Sequence, residues 1–306
     1  MKKEISSSSK KIKIISWNVN GLRAVWKKGA LQKLVEQENP DIFVLQETKC
    51  TPDQLTDEMK NFAGYISYFE SSSMRKGYSG VAIYTKSTPI KVTNSILTAL
   101  GEKHPRVESE ESFQKLDDHE KYKIFLDNEG RTLVAEYQDF YLMNCYWPNG
   151  GKSEEHYHYK LAYYDKTLKL MQKLEKKKHK RVVDGAEEIF CKPVIFTGDI
   201  NATVADIDLA RPKDNKDKLG CTKPERDRLA KFIENFVDSY RKVNGDKVQY
   251  TWWDMKTSSR AKNVGWRIDY FFTSKSLEDK ILDAKIMDDF FGSDHCPVML
   301  ELKSFK

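Results

Sequence analysis

Short apolar runs and polar turns rich in Asn, Asp and Gly alternate along most of the chain. Residues 12–17, Ile-Lys-Ile-Ile-Ser-Trp, form a β-rich run that stops at Asn18-Val19-Asn20-Gly21. Leu31, Leu34 and Val35 then recur at helical spacing ahead of Pro40, which predicts a helix. Residues 41–45 are almost wholly apolar and predict a strand buried on both faces, ending at Gln46-Glu47-Thr48-Lys49. Further strands are expected at 66–69, 81–84, 132–137, 140–146, 193–197, 268–272 and 298–302. Ser153 and Glu155 open the longest helix, whose stripe is Tyr157, Leu161, Tyr164, Leu168, Met171 and Leu174. The basic run 176–181 that follows reads as a solvated end of this helix, favoured by the macrodipole. Residues 203–222 read as a polar loop carrying Asp206 and Asp208, and a further helix is expected over 224–236. The charged stretch 101–130 reads as a surface insertion.

This strand–helix rhythm predicts an α/β fold. There is no internal repeat, no Ser/Gly linker and no break in composition, so residues 11–306 are expected to form one domain behind a flexible basic tail, 1–10. At 306 residues such a domain has ample core. No apolar run approaches the roughly 20 residues that span a bilayer, and the N-terminus lacks the apolar segment of a secretory signal. Five scattered cysteines without a C-x-x-C pair argue for reduced thiols in an intracellular protein, and against a structural zinc. The net charge of +6 permits a phosphate-rich partner without proving one.

The chemistry collects where strands stop. Asn18 and Asn20, Glu47, Tyr146 and Asn149, Asp199 and Asn201, Asp269, then Asp294 and His295 all stand at or just beyond strand ends. Any one of them is an ordinary turn residue. Six such ends converging on one edge of a layered sheet would build a site from distant sequence. Oxygen ligands without cysteine suit Mg²⁺ or Mn²⁺. No nucleophile elbow and no Gly-rich phosphate loop is present. Metal-assisted attack of water on a phosphoester remains, with an Asp aligning the water and His and Asn donors on the phosphate oxygens.

The motifs at these ends resemble the exonuclease III / class II AP endonuclease family of the endonuclease–exonuclease–phosphatase superfamily. They are Trp17-Asn18-Val19-Asn20-Gly21-Leu22-Arg23-Ala24, Leu45-Gln46-Glu47-Thr48-Lys49, Gly77-Tyr78-Ser79-Gly80, Tyr146-Trp147-Pro148-Asn149, Gly198-Asp199-Ile200-Asn201, residues 263–271 around Trp266-Arg267-Ile268-Asp269, and Gly292-Ser293-Asp294-His295. The resemblance covers roughly 11–304 and implies a four-layer α/β sandwich, two packed mixed β-sheets flanked by helices. It implies Mg²⁺-dependent hydrolysis 5′ to an abasic site in double-stranded DNA, with 3′-phosphodiesterase and 3′→5′ exonuclease activity on blocked 3′ ends. A monomer is expected, in the nucleus or, in a prokaryote, the cytoplasm.

By the same resemblance, Glu47, Asn20 and Asp294 would serve the metal. Asp199 would activate water, with Asn201 and Asn18 holding it, while His295 on Asp269 would bind the scissile phosphate with Tyr146 and Asn149. Arg23, Lys49, Tyr78, Lys152 and Asn215 would lie along the DNA, and Trp252, Trp266 and Ile268 would form the pocket for an extruded abasic sugar. Some positions depart from the family pattern. Asn20 stands where some members carry Asp, Trp252 where many carry Phe, and Lys256 where some carry an apolar wedge. Segments 101–130 and 179–192 look longer than usual. Two other readings compete: a superfamily relative acting on a lipid or inositol phosphate, and a DNA-binding module without catalysis. The first lacks a membrane-docking apolar loop, and the second is disfavoured by the complete acid–histidine set.

Overall fold

The computed structural model describes residues 11–103, 115–183 and 185–305. Two six-stranded mixed sheets carry the architecture. The first contains β1 (Lys11–Asn18), β2 (Ile42–Gln46), β3 (Ile66–Glu70), β4 (Val81–Thr85), β13 (Ile281–Ile286) and β14 (Val298–Lys303), in the order β13-β14-β1-β2-β4-β3. The second contains β5 (Lys91–Thr93), β6 (Thr132–Glu136), β7 (Tyr141–Tyr146), β10 (Val194–Asp199), β11 (Phe236–Asp238) and β12 (Asp269–Ser274), in the order β11-β12-β10-β7-β6-β5. A separate hairpin pairs β8 (Lys178–Val183) with β9 (Ala186–Cys191).

The apolar faces explain the layers. Ile14, Val44, Ile83, Leu142, Ile195, Phe271 and Leu300 pack together between the sheets. Ile15, Phe43 and Tyr84 point the other way, against Leu22, Leu31 and Leu34 of the two helices Leu22–Lys27 and Ala30–Glu38. On the far face of the second sheet, Met143 and Phe196 meet Tyr159, Tyr163, Tyr164, Leu170 and Met171 of helix Glu154–Glu175, with Leu229 and Phe232 of helix Lys223–Asn235. Strands buried on both faces have no polar side to spare, which is why β2, β7 and β10 read as unbroken runs. The four-layer α/β sandwich expected from the resemblance is the observed fold.

A polar network crosses the inter-sheet core. The buried Gln46 amide donates to Ser16 Oγ at 2.9 Å and to Asn144 Oδ1 of the opposite sheet at 2.7 Å. Asn144 in turn donates to the backbone carbonyls of Leu45 and Ala82, at 3.0 and 2.8 Å.

Two expectations fail where charged residues disguise the fold, and a third segment keeps its loop but buries a charge. The basic run 176–181 is not a helix end. The helix stops at Glu175, and the segment from Lys178 forms the first strand of the hairpin, with Lys180 paired to Glu187 and Arg181 to Glu188 across it. Of the surface insertion at 101–130, residues 104–114 lie outside the described residues, but Asp118–Asn128 is a helix whose Leu126 is buried in the core beside Tyr159. In the loop 203–222, Asp208 is buried against Arg267 and Arg241. Strand β13 was not anticipated, because Ile281-Leu282-Asp283-Ala284-Lys285-Ile286 is half polar and only one face is covered.

Candidate active site

Sheet register aligns the site. β10 runs parallel to β7 and antiparallel to β12, so Asp199 lies directly beside Tyr146 on one flank and Asp269 on the other. In the first sheet, parallel pairing of β1 and β2 sets Asn18 beside Gln46, and the chain then turns to present Glu47. His295 comes just before β14, held by its carbonyl, which accepts the Trp17 indole N–H at 3.1 Å. The two sheets thus bring their polar ends to the same edge of the sandwich. Gly198 lets this happen: at φ 142°, a Cβ there would lie 1.8 Å from the Cys145 carbonyl oxygen. Asn20, Glu47, Lys49 and Asn201 all adopt left-handed backbone as the strands give way to turns. Such geometry comes cheaply to Asn. For Glu47 and Lys49 it costs on the order of 1 kcal/mol or more each, strain of the kind stored at functional sites.

The side chains interlock. Asn18, fully buried, donates from Nδ2 to Asp199 Oδ2 at 2.8 Å and to Glu47 Oε1 at 3.0 Å, tying the two sheets' carboxylates together. Asp199 Oδ1 accepts the Asn201 backbone N–H at 2.8 Å. His295 Nδ1 is 2.8 Å from Asp269 Oδ2, which fixes the ring so that Nε2 faces Asp199 Oδ2 at 3.8 Å. Asn201 bonds the Trp147 carbonyl at 2.8 Å and accepts from Asn149 at 3.2 Å.

Burial sets the electrostatics. Desolvation is the largest influence on Asp199 and pushes its carboxyl up to about 7; Asp269 and Glu47 add to this, and His295 opposes it. Burial alone would lower His295, but the Asp269 carboxylate and its hydrogen bond raise the imidazole to about 10, so it is an imidazolium at neutral pH. Burial likewise pushes Glu47 up, yet Lys49, 2.7 Å away, and the Asn18 amide hold it below its ordinary value. The Tyr146 phenol is raised by burial and by the nearby Glu47 charge, and so stays a donor.

Oxygen atoms of Glu47 and Asp199 and a ring nitrogen of His295 lie within 4.8 Å of one another, a metal-sized cluster among the described residues in which the carboxylate oxygens, and not the protonated imidazole, are free to ligate. Asn20 extends this cluster, bonded to Asp294 at 2.9 Å and to the Lys49 ammonium. The Lys49 ammonium, expected on the DNA backbone, lies between Glu47 and Asn20 in the DNA-free chain. Tyr78 and Lys152 do adjoin, the ammonium 4.4 Å above the phenol ring, and Arg23 is exposed. Trp252 and Trp266 stand perpendicular with centroids 6.3 Å apart, and with Arg211, Asn215 and Val264 they line a cavity of about 310 Å³. Ile268 is buried beside them in sequence but does not line that cavity.

Sequence reasoning missed the supports. Arg131 is buried, paired to Glu129 at 2.6 Å, donates to the Tyr78 hydroxyl at 2.6 Å and lies 4.7 Å from the centre of the Tyr146 ring. Lys160 and Glu225 form a wholly buried ion pair, and Lys160 also donates to the Asn201 carbonyl at 2.9 Å. The one available signal for Lys160 was its place among Tyr159, Leu161, Tyr163 and Tyr164, on the helix face that turns inward.

Comparison with known proteins matches this geometry. The model of the Endonuclease/Exonuclease/phosphatase family matches residues 15–295. An exodeoxyribonuclease of Bacillus subtilis is 35% identical over 291 residues, covering 94% of this chain and 98% of its own length. A DNA-(apurinic or apyrimidinic site) endonuclease of Dictyostelium discoideum is 36% identical, covering 94% of this chain and 69% of that protein. Among solved structures, the catalytic domain of Xenopus laevis APE2 superposes with a TM-score of 0.75 at 31% identity, covering 95% of this chain and 92% of that one. The chain belongs to the Endonuclease/Exonuclease/phosphatase family, in its exonuclease III-like AP endonuclease branch.

Proposed function

We propose that this chain is a DNA repair nuclease that hydrolyses the phosphodiester 5′ to an abasic site, leaving a 3′-hydroxyl, and that it also clears blocked 3′ ends. The observation that carries the reading is the buried row in which Asp199 sits between Tyr146 and Asp269, bonded through Asn18 to Glu47 and facing the His295 imidazolium. A carboxyl held near neutral pKa suits a general base. Asp199 takes a proton from water as the water oxygen bonds to phosphorus; the bond from phosphorus to the 3′-oxygen breaks, and that oxygen takes a proton from solvent to become the 3′-hydroxyl. His295 Nε2–H, the Tyr146 hydroxyl and the Asn149 amide donate to the non-bridging oxygens, where charge grows. Asn201 and Asn18 keep Asp199 turned towards the water.

The residues also fit a divalent cation. Glu47 and Asn20 already converge on a cationic ammonium, that of Lys49, and the ligand atoms are hard oxygens, the set that Mg²⁺ or Mn²⁺ takes. Glu47 would hold the ion, with Asn20 and the charge of Asp294 in support. When bound, it supplies Lewis-acid stabilisation of the phosphoryl oxygens. Trp252 and Trp266 wall the cavity in which an extruded abasic sugar fits, whereas a base-bearing nucleotide meets the rings.

A duplex oligonucleotide with one abasic analogue tests the reading. In Mg²⁺ a single nick is expected 5′ to the lesion, with a 3′ end that a polymerase extends, and none in chelator or on the intact duplex. An uncut abasic duplex would overturn it.

A further inference from the structure

Asp294 has two carboxylate oxygens, and both are already in use. Oδ1 accepts the Asn20 amide at 2.9 Å and the Ser293 hydroxyl at 3.1 Å. Oδ2 accepts the indole N–H of Trp252 at 3.1 Å. Chemistry settles which way Asn20 points: an ammonium only donates and a carboxylate only accepts, so the amide oxygen faces Lys49 and the amide nitrogen faces Asp294. Lys49 then grips Glu47. Donors and acceptors match at every link from the wall of the tryptophan cavity, through Asp294, Asn20 and Lys49, to Glu47.

The first link is well fixed. The Trp252 ring is perpendicular to Trp266 and its centroid is 6.5 Å from that of His295, while its backbone pairs with both residues. A phenylalanine at 252 would supply the same apolar wall but no donor. An aspartate at 20 would set a second carboxylate against Asp294, where the observed amide donates instead.

We propose that Trp252 is a positioning residue that holds Asp294 out of the coordination sphere of the metal. The inference rests on reading the Glu47 cluster as the metal site. Trp252 commits Asp294 to orienting Asn20, so the chain binds one divalent ion, from the Glu47 side. Without the indole N–H, Oδ2 is a half-buried carboxylate oxygen with no donor, and a cation is its natural replacement partner. Trp252 therefore sets the number of ions as well as the shape of the cavity.

The test is Mn²⁺ binding to the DNA-free full chain, read as the loss of the free-ion electron paramagnetic resonance signal. Wild type should bind one ion. Trp252→Phe should bind a second, or bind the first at least threefold more tightly, and adding Asp294→Asn to Trp252→Phe should abolish that gain. Trp252→His, which returns a ring N–H to the position, keeps the question answerable if the phenylalanine variant is unstable; it should bind one ion. Two ions in wild type, or a Trp252→Phe isotherm that superimposes on wild type, would overturn the inference. Glu47→Gln separates the two readings. If it loses the ion while Trp252→Phe changes nothing, only the role of Trp252 falls. If it binds as wild type does, the metal reading of the cluster falls and this inference with it.

Discussion

Strands β7 and β10 end in two very different places. At their C-terminal ends, Tyr146 and Asp199 are buried polar groups joined to Asn18, Asp269 and His295. At their N-terminal ends, about 16 Å away by strand rise, Tyr141 bonds His179 of the hairpin at 2.9 Å. There the pattern inverts: Val182 is 74% exposed and Ile189 59%, while Arg181–Glu188 and Lys180–Glu187 pair in solvent. Solvated pairs like these contribute little to stability. The same strands thus support one end where ionisable groups are kept from water at a cost, and another where apolar groups are left in it. The cost marks the working end, because a raised carboxyl and a fixed imidazolium are useful only if water is controlled.

The sharpest way to break this contrast is Asp199→Asn. Single-turnover cleavage of abasic duplex should fall by about 10²-fold or more, with affinity for that duplex largely kept. The same variant should melt at a higher temperature than wild type at pH 8, and show little or no such gain at pH 5. The sign follows from the raised carboxyl. A group that binds its proton more tightly when folded stabilises at low pH, and loses that contribution as pH rises from its unfolded value near 4 through about 7. At pH 8 the native protein carries the buried charge; asparagine does not. A variant that is both inactive and less stable at pH 8 would mean Asp199 is an ordinary structural carboxylate.

Trp266→Ala comes next. It should erode the preference for abasic over intact duplex by about tenfold while leaving the chemical step on abasic DNA within a few-fold, since the ring shapes the cavity and does not touch the Asp199 row. Undiminished preference would return Trp266 to the core.

The smallest effect is expected at the other end. Replacing the hairpin, 178–191, with a short Gly-Ser turn should change abasic cleavage less than twofold, measured at fixed salt. A large loss would show that the two ends are coupled through β7 and β10 and are not independent.

Much of the working end was legible because strand ends advertise themselves. Asn18, Glu47 and Asp199 each follow an apolar run whose length fixes where the strand stops, and Asp269 opens one, so their alignment needed only the sheet order. The sheet order itself was not legible, nor that Asn18 would bond both carboxylates. Buried charges were invisible for a different reason. Lys160 and Glu225 look like surface residues until they meet across a long sequence separation, and Arg131, though paired with its near neighbour Glu129, shows no sign in the sequence that both are buried. The hairpin and helix Asp118–Asn128 were misread on the same ground, since a charged pattern on a half-covered element resembles a solvated loop. The resemblance placed Lys49 along the DNA; what it did not reveal is the left-handed turn at 47 and 49 that sets its ammonium against Glu47.

The Gln46–Asn144 contact has a consequence for how precisely this site can be assembled. Glu47 belongs to one sheet and Asp199 to the other, and apolar faces alone would tolerate a small sliding of one sheet on the other. Gln46 immediately precedes Glu47, Asn144 lies two residues before Tyr146, and the bond between them acts as an alignment pin between two independently built halves. Replacing Asn144 by a leucine of similar size would preserve the volume of the core and free the shear. The carboxylates would then be held in register by Asn18 alone, and the Gln46 amide would lose a buried partner, a defect felt in turnover as well as in melting.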